Sequence, residues 1–314
     1  MTDPDAVLPS WRPGPTRDAL LAFLDASAGV PLEARVACFD NDGTLWCERP
    51  SYVQLDFFLD TLQAAVRDDP AVAQQPEFAA LLSGDRAAVA EVGLERIALA
   101  LTGLYAGLSP EVFAARVREF MASATHAALD RPLRTTTYVP MLELLAELRR
   151  RDFTVGVVTG GGTEFVRAIS QELYGVPPEV VVGSLVDYDY VPAGADGSGP
   201  GLVRAARIVG VANEGTAKVT HIQTQLGRRP ILAAGNSGGD RAMLEWAASG
   251  DGPTLALLVD HDDDVREFAY VGTAETFAEP EPITAVAARS GWVVASMVRD
   301  WEVVFAPPGG APAG

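Results

Sequence analysis

The chain has a single lysine. Of its 24 basic residues all but Lys218 are arginine. Drift toward arginine explains the 23 but not the survivor, whereas a site needing a compact ammonium in place of a planar guanidinium does. Cysteine is nearly absent as well: Cys38 and Cys47 form neither a disulfide framework nor a zinc pattern. Two reduced thiols in a cytoplasmic protein are the expectation. No apolar run reaches the roughly 18 residues of a membrane span. Residues 1–27 carry Asp, Pro and Arg with no continuous apolar segment, so no secretory signal is expected. Positive charge is scarce overall, with a net charge of -18 and a pI near 4.5. That balance excludes non-specific nucleic-acid binding and disfavours an anionic membrane surface. A small anionic substrate would need cations and N–H groups placed locally against this field.

What is present is 314 residues with 48% hydrophobic content, enough for one large domain or two smaller ones. The run Val36-Ala37-Cys38-Phe39 ends in Asp40-Asn41-Asp42-Gly43-Thr44. A short apolar run closed by a turn signal predicts a buried strand. Residues i and i+2 of a strand share a face, so Asp40 and Asp42 meet at its carboxyl end, where open α/β sheets bind ligands. Two close carboxylates repel unless a proton or a hard cation such as Mg²⁺ relieves them.

This string resembles the first motif of the haloacid dehalogenase superfamily, most of whose members are phosphatases. Three further segments match its later motifs in order. Phe153 to Val158 predicts a second buried strand, ending in Thr159 and the turn Gly160-Gly161-Gly162 before a helix opens at Thr163. A strand, a Gly-rich turn and a helix start together make an anion site. Lys218 begins a helical pattern at 217–226, and Pro230 to Ala234 predicts a strand followed by Gly235-Asn236-Ser237-Gly238-Gly239-Asp240. The likeness is greatest to phosphoserine-phosphatase-like members with a helical cap. It departs from them at the fourth motif, typically Gly-Asp-Gly-x-Asn-Asp, where Asn236 stands at the first acidic position and Asp240 keeps the last.

Between Tyr52 and Asp130 no strand is predicted. Helical patterns cover 52–66, 76–82, 86–101 and 110–129, the last capped by Ser109-Pro110-Glu111. The expected fold is therefore α/β, with a Rossmann-like parallel sheet, helices on both faces and an inserted α-helical cap. The expected division is a core of 1–45 and 136–314 and a cap of 46–135. Residues 1–15 read as a loosely attached lead-in, with a helix at 16–27 capped by Thr16. Further expectations are a strand at 180–183, a surface hairpin or excursion at 187–201, a helix at 140–151, a helix at 241–248, a strand at 254–259 and a tail without order from Ala306. His126, His221 and His261 have structural roles in this reading, and Asp262 to Asp264 a solvated helix start.

The resemblance implies roles. Asp40 attacks phosphorus, Asp42 serves as acid and then base, Thr159 with the amides near Gly160 and Gly43 holds phosphoryl oxygens, and Lys218 neutralises charge. Mg²⁺ sits among Asp40, Asp42 and either Asn236 or Asp240. Glu48 and Arg49, where the chain enters the cap, are candidates to read an ammonium or carboxylate of the substrate. The implied activity is Mg²⁺-dependent hydrolysis of a small phosphorylated metabolite. The Asp-x-Asp pair favours phosphoester over carbon–halogen cleavage. The alternatives are a phosphomutase or phosphotransferase, which share the pair, and a catalytically weak binding module, which the neutral Asn236 favours.

Overall fold

The computed structural model describes residues 7–194 and 199–307. Its sheet has eight strands: β1 (Val36–Phe39), β2 (Thr154–Gly162), β3 (Val181–Val191), β4 (Gly201–Val209), β5 (Leu232–Gly235), β6 (Leu255–Asp262), β7 (Ala269–Tyr270) and β8 (Val293–Ser296). They are ordered β4-β3-β2-β1-β5-β6-β7, with β8 also on β6. Pairings from β3 through β6 and on to β8 are parallel, and β4 and β7 are antiparallel at the margins.

Helices α1 (Pro15–Ala26), α2 (Val53–Asp68), α3 (Pro76–Ser83), α4 (Arg86–Val92), α5 (Leu94–Gly103), α6 (Pro110–Ser123), α7 (Val139–Arg150), α8 (Thr163–Arg167), α9 (Ser170–Tyr174), α10 (Thr216–Leu226), α11 (Arg241–Ala248), α12 (Ile283–Ser290) and α13 (Met297–Asp300) complete the chain. The strands alternate sides as their period of two requires. Ala37, Phe39, Val155, Val157, Leu232 and Ala234 join one hydrophobic cluster with residues of α1 and α7. Val36, Cys38, Val158 and Ala233 face the other way into a cluster with α10, α11 and α12. The result is a sheet covered on both faces, as strand–helix alternation predicts. Both cysteines are buried free thiols, and burial pushes Cys38 up to about 12.

From Tyr52 to Asp130 no described residue lies in a strand, and α2 to α6 fill the interval. Leu62, Phe78, Ile97 and Leu101 make a small core of their own. Phe57 and Phe113 instead join the main cluster, Phe57 lying 5.4 Å from Phe165 of α8.

Several expectations needed correction. The lead-in is anchored: Leu8 and Trp11 are 1% exposed, and the Trp11 indole donates to the Pro140 carbonyl at 2.9 Å. Residues 1–6 and, in the tail, 308–314 lie outside the described residues. Thr16 does not cap α1 but sits inside it, bonded to Val294 O and Asp300 Oδ2. The pattern at 86–101 breaks at Gly93, whose φ of 92° interrupts it into α4 and α5. The helix begun at Pro110 stops at Ser123. The strand expected at 180–183 runs on to Val191 and pairs with β4, which agrees with the hairpin expected at 187–201; residues 195–198 between the two strands lie outside the described residues. Asp262, the last residue of β6, accepts from Ser296 Oγ and Val298 N, and Asp263 folds onto Arg266 within a turn, so the acidic run starts no helix.

Candidate active site

The chain reverses direction across the sheet between β2 and β5, on either side of β1, so the carboxyl end of β1 is a topological switch point. Asp40 leaves β1 there, its N–H donating to Ala234 O of β5 at 2.9 Å. Lys218 reaches it from the first turn of α10, which opens after Gly215. The ammonium donates to Asp40 Oδ1 at 2.5 Å, to Asp240 Oδ1 at 2.6 Å and to the Val158 carbonyl at 3.0 Å. All three of its protons thus have acceptors, although Lys218 is 3% and Asp240 1% exposed. Burial alone would push the lysine down, but Asp240 and Asp40 outweigh it and hold the ammonium above its usual range. Burial, then the neighbouring Asp240 charge, push Asp40 well up against the pull of Lys218.

Asp240 has partners on both oxygens. Oδ2 accepts from the N–H groups of Asn236 and Ser237 and from Ser237 Oγ, closing a capping box. Asn236 is oriented by its own amide: Nδ2 donates to Glu48 Oε1 at 3.0 Å, which turns Oδ1 toward the Thr44 hydroxyl at 3.4 Å. Asp40 Oδ2 lies 3.3 Å from that same hydroxyl. Thr44 has one proton for these two oxygens, so one acceptor is left over. Glu48 is buried, and burial pushes it up.

Asp42 sits apart from this cluster of oxygens. Trp46 Nε1 donates to its Oδ1 at 2.8 Å, Asn41 Nδ2 to its Oδ2 at 3.2 Å, and Thr159 Oγ1 lies 3.5 Å away. Tyr174 OH holds Asn41 from behind at 2.8 Å. Burial raises Asp42 against these hydrogen bonds.

The glycine turn after β2 is already engaged: Gly161 N–H donates to Thr159 Oγ1, and Gly162 N–H to Gln54 Oε1. Gly160 is exposed and its carbonyl accepts from Ser184 Oγ. Gly43, at φ 73°, donates its N–H to the Trp46 carbonyl. Only glycine fits there, because an added Cβ would overlap the Asn236 amide and lie 2.9 Å from Glu48 Cδ. Arg49 does not join the cluster; its guanidinium lies over the Tyr270 ring at 4.4 Å.

The structure therefore brings Asp40, Lys218, Asp240, Asn236 and Glu48 together, with Asp42 and Thr159 adjacent. Sequence reasoning left Thr44, Trp46, Gln54, Asn213 and the partners of the histidines unassigned. Thr44 and Trp46 lie within a few residues of the motif and carried that weak signal. Asn213, whose amide donates to Thr159 O and whose Oδ1 meets His221 Nδ1, had none.

A profile of haloacid dehalogenase-like hydrolases matches residues 37–245, the interval that holds Asp40, Asp42, Glu48, Thr159, Lys218, Asn236 and Asp240. The chain belongs to that family. Among solved structures, the fold of this family member is similar to that of a protein of unknown function from Bordetella pertussis Tohama I. Identity is 19% over 83% of this chain and 97% of that one, with a TM-score of 0.52. A probable phosphoserine phosphatase from Vibrio cholerae is similar at 12% identity over 90% and 73%, with a TM-score of 0.42. A HAD family hydrolase from Salmonella enterica serovar Typhi follows at 15% over 80% and 69%, with a TM-score of 0.40. No curated protein sequence matches the chain. Among the described residues no helix is long and apolar enough to cross a membrane. Nor, among them, do three or more His, Cys, Asp or Glu side chains gather as a metal site.

Proposed function

We propose that this haloacid dehalogenase-like hydrolase is a Mg²⁺-dependent phosphatase that cleaves a small phosphomonoester through an aspartyl-phosphate. The observation that carries the reading is the 2.5 Å contact of Asp40 with Lys218, Asp40 standing two residues before a second, half-buried carboxylate. Asp40 attacks phosphorus as the P–O bond to the alcohol breaks. Asp42, kept protonated more readily by its burial, gives its proton to the leaving alkoxide. It then takes a proton from the water that attacks the aspartyl-phosphate, which releases inorganic phosphate and restores Asp40. Lys218 offsets the charge of Asp40 and of the phosphoryl oxygens, and Thr159 with Gly160 holds those oxygens. Gly43 contributes through the tight turn that lets Asn236 approach.

The donor set fits a hard cation. Asp40 Oδ2 and Asn236 Oδ1 converge on a hydroxyl that can satisfy only one of them, and two buried acids, Asp40 and Asp240, share a single ammonium. Asp40 and Asn236 would hold the ion, with Asp42 beside them and Asp240 supporting through Lys218 and the loop amides. Glu48, bonded to the Asn236 amide, returns the negative charge that asparagine lacks. When bound, Mg²⁺ neutralises phosphoryl charge and orients the group for in-line attack.

We further propose that 46–135 acts as a cap on a core of 1–45 and 136–314. Asp40, Asn236 and Thr159 are 6%, 3% and 0% exposed, so substrate entry requires the cover over them to move. Glu48 and Arg49, at the entry to the cap, are proposed to read the substrate.

Replacing Asp40 by Asn should abolish Mg²⁺-dependent hydrolysis of a chromogenic phosphomonoester while circular dichroism stays unchanged. EDTA should silence the wild type and Mg²⁺ restore it. Wild-type turnover in Asp40→Asn would remove Asp40 as the nucleophile.

A further inference from the structure

β6 runs past Val259 because His261 and Asp262 pair with Tyr270 and Ala269 of β7, and the return brings Glu267 beside His261. His261 is 3% and Glu267 4% exposed. The imidazole stacks on Tyr270 at 4.3 Å. Its Nδ1 lies 3.1 Å from Glu267 Oε2, and its Nε2 lies 2.8 Å from the carbonyl oxygen of Gly43.

Glu267 faces donors only. Oε1 accepts from Tyr138 OH at 2.9 Å and Cys47 Sγ at 3.0 Å, and Oε2, the oxygen facing His261 Nδ1, accepts from Phe268 N at 2.7 Å. Burial keeps the Tyr138 phenol and the Cys47 thiol protonated, so both can donate. A carboxyl with three donors apart from the ring is held as the carboxylate. Gly43 O is an acceptor by its chemistry. Both ring nitrogens of His261 therefore face acceptors, and only the doubly protonated ring satisfies both. His126 shows the contrast: Nδ1 accepts from the N–H groups of Ala128 and Leu129 while Nε2 meets Arg49 O, the pattern of a neutral ring.

We propose that His261, as an imidazolium paired with Glu267, is a positioning residue that pins the turn between the two catalytic aspartates and Thr44. The pinned peptide is the one joining Gly43 to Thr44. Its carbonyl is held by His261 and its N–H by Asn41 O at 3.2 Å. Rotation of that peptide would carry the Thr44 hydroxyl away from Asp40 and Asn236, to which it now points. The ring is charged because a buried donor pair is needed at that carbonyl and carboxylate together, and the Glu267 charge compensates it. The charged and titratable groups around the ring are Glu267, Tyr138, Cys47, Tyr270, Glu48 and Asp260, with Arg49 also stacked on Tyr270.

The proposal rests on the phosphatase reading for its kinetic consequence but not for its structural core. The decisive measurement is a ¹⁵N-resolved imidazole spectrum of the wild type at neutral pH. Protons on both His261 nitrogens are expected, with one lost in Glu267→Gln. A single protonated nitrogen in the wild type would overturn the proposal whether or not any variant folds. Folded His261→Ala should lose about 10- to 100-fold in kcat with KM within about threefold, as misplacement of reacting groups does. An unchanged kcat would also overturn it. His261→Gln, which keeps one donor for Gly43, should recover part of the loss. If the wild type hydrolyses no phosphomonoester, the phosphatase reading falls, while the ring protons and the Gly43 and Thr44 amide shifts in His261→Ala still decide the pinning.

Discussion

Lys218 shows what a buried ion cluster demands. Its three protons meet two carboxylates and a carbonyl, and no uncompensated donor remains. Such clusters hold geometry at a desolvation cost, and removing one member leaves charges that nothing offsets. The same residue-scale logic applies to Gly43, where the positive φ and the approach of Asn236 exclude any side chain. Gly43→Ala is expected to cost about 2–4 kcal/mol, from left-handed strain plus displacement of Asn236 and Glu48. It should also lower turnover by about 100-fold through misplacement of Asp42. Denaturant unfolding and initial rates check the two effects separately. A fully stable and active alanine variant would show that the turn can relax without moving Asn236.

Strand ends gather the chemistry at the scale of elements. β1, β2 and β5 deliver Asp40, Thr159 and Asn236 to one edge of the sheet, and α10 enters from the face of the second cluster to add Lys218. The β3–β4 hairpin, on the other side of β2, meets the helical segment. Arg204 of β4 is 2% exposed, is ion-paired with Glu164 of α8 and lies 3.8 Å from the centre of the Phe113 ring of α6. Its N–H donates to Leu108 O and its carbonyl accepts from Gly107 N. The guanidinium therefore joins the hairpin, the sheet and the helices. Arg204→Leu should destabilise the protein by about 3 kcal/mol, since Glu164 would be left with a poorly compensated charge. The Arg204→Leu/Glu164→Leu pair should lose less than the sum of the two single changes in a double-mutant cycle. Simple additivity would mean that the ion pair contributes nothing beyond packing.

Charge acts over the whole molecule. A net charge of -18 surrounds a site in which burial raises Asp40, Asp42 and Glu48. Each of these binds its proton more tightly when folded. Its contribution to stability is therefore complete below the ordinary carboxylate value of about 4 and is lost as pH rises through the raised folded value. Glu267 and Asp263 are lowered, so their contribution is lost only as pH falls below about 4, outside the neutral window. The metal-free protein should then melt at higher temperature near pH 5.5 than near pH 7.5. Mg²⁺ should raise the melting temperature more at the higher pH, where it does not compete with protons for Asp40. Melting curves in EDTA that are flat or fall with decreasing pH would count against burial as the dominant influence on these acids.

The strand-end motifs were legible in the amino-acid string because strand, turn and helix signals act within a few residues. Asp40-Asn41-Asp42-Gly43, Thr159-Gly160 and the Asn236 loop each carry their apolar strand with them, and Lys218 stood out by being alone. The alternation of such units foretold a parallel sheet with helices on both faces. Tertiary structure alone decided that Asp240 holds Lys218 and the loop amides on its two oxygens, that Asn236 leans on Glu48 188 residues away, and that His261 reaches Gly43 across 218. It also decided that the proline-rich lead-in buries Leu8 and Trp11, and that the strand past Gly183 runs on to Val191. Contacts of that kind leave no local trace, because which side chains meet depends on the path the whole chain takes and on which buried polar group lacks a partner when it closes.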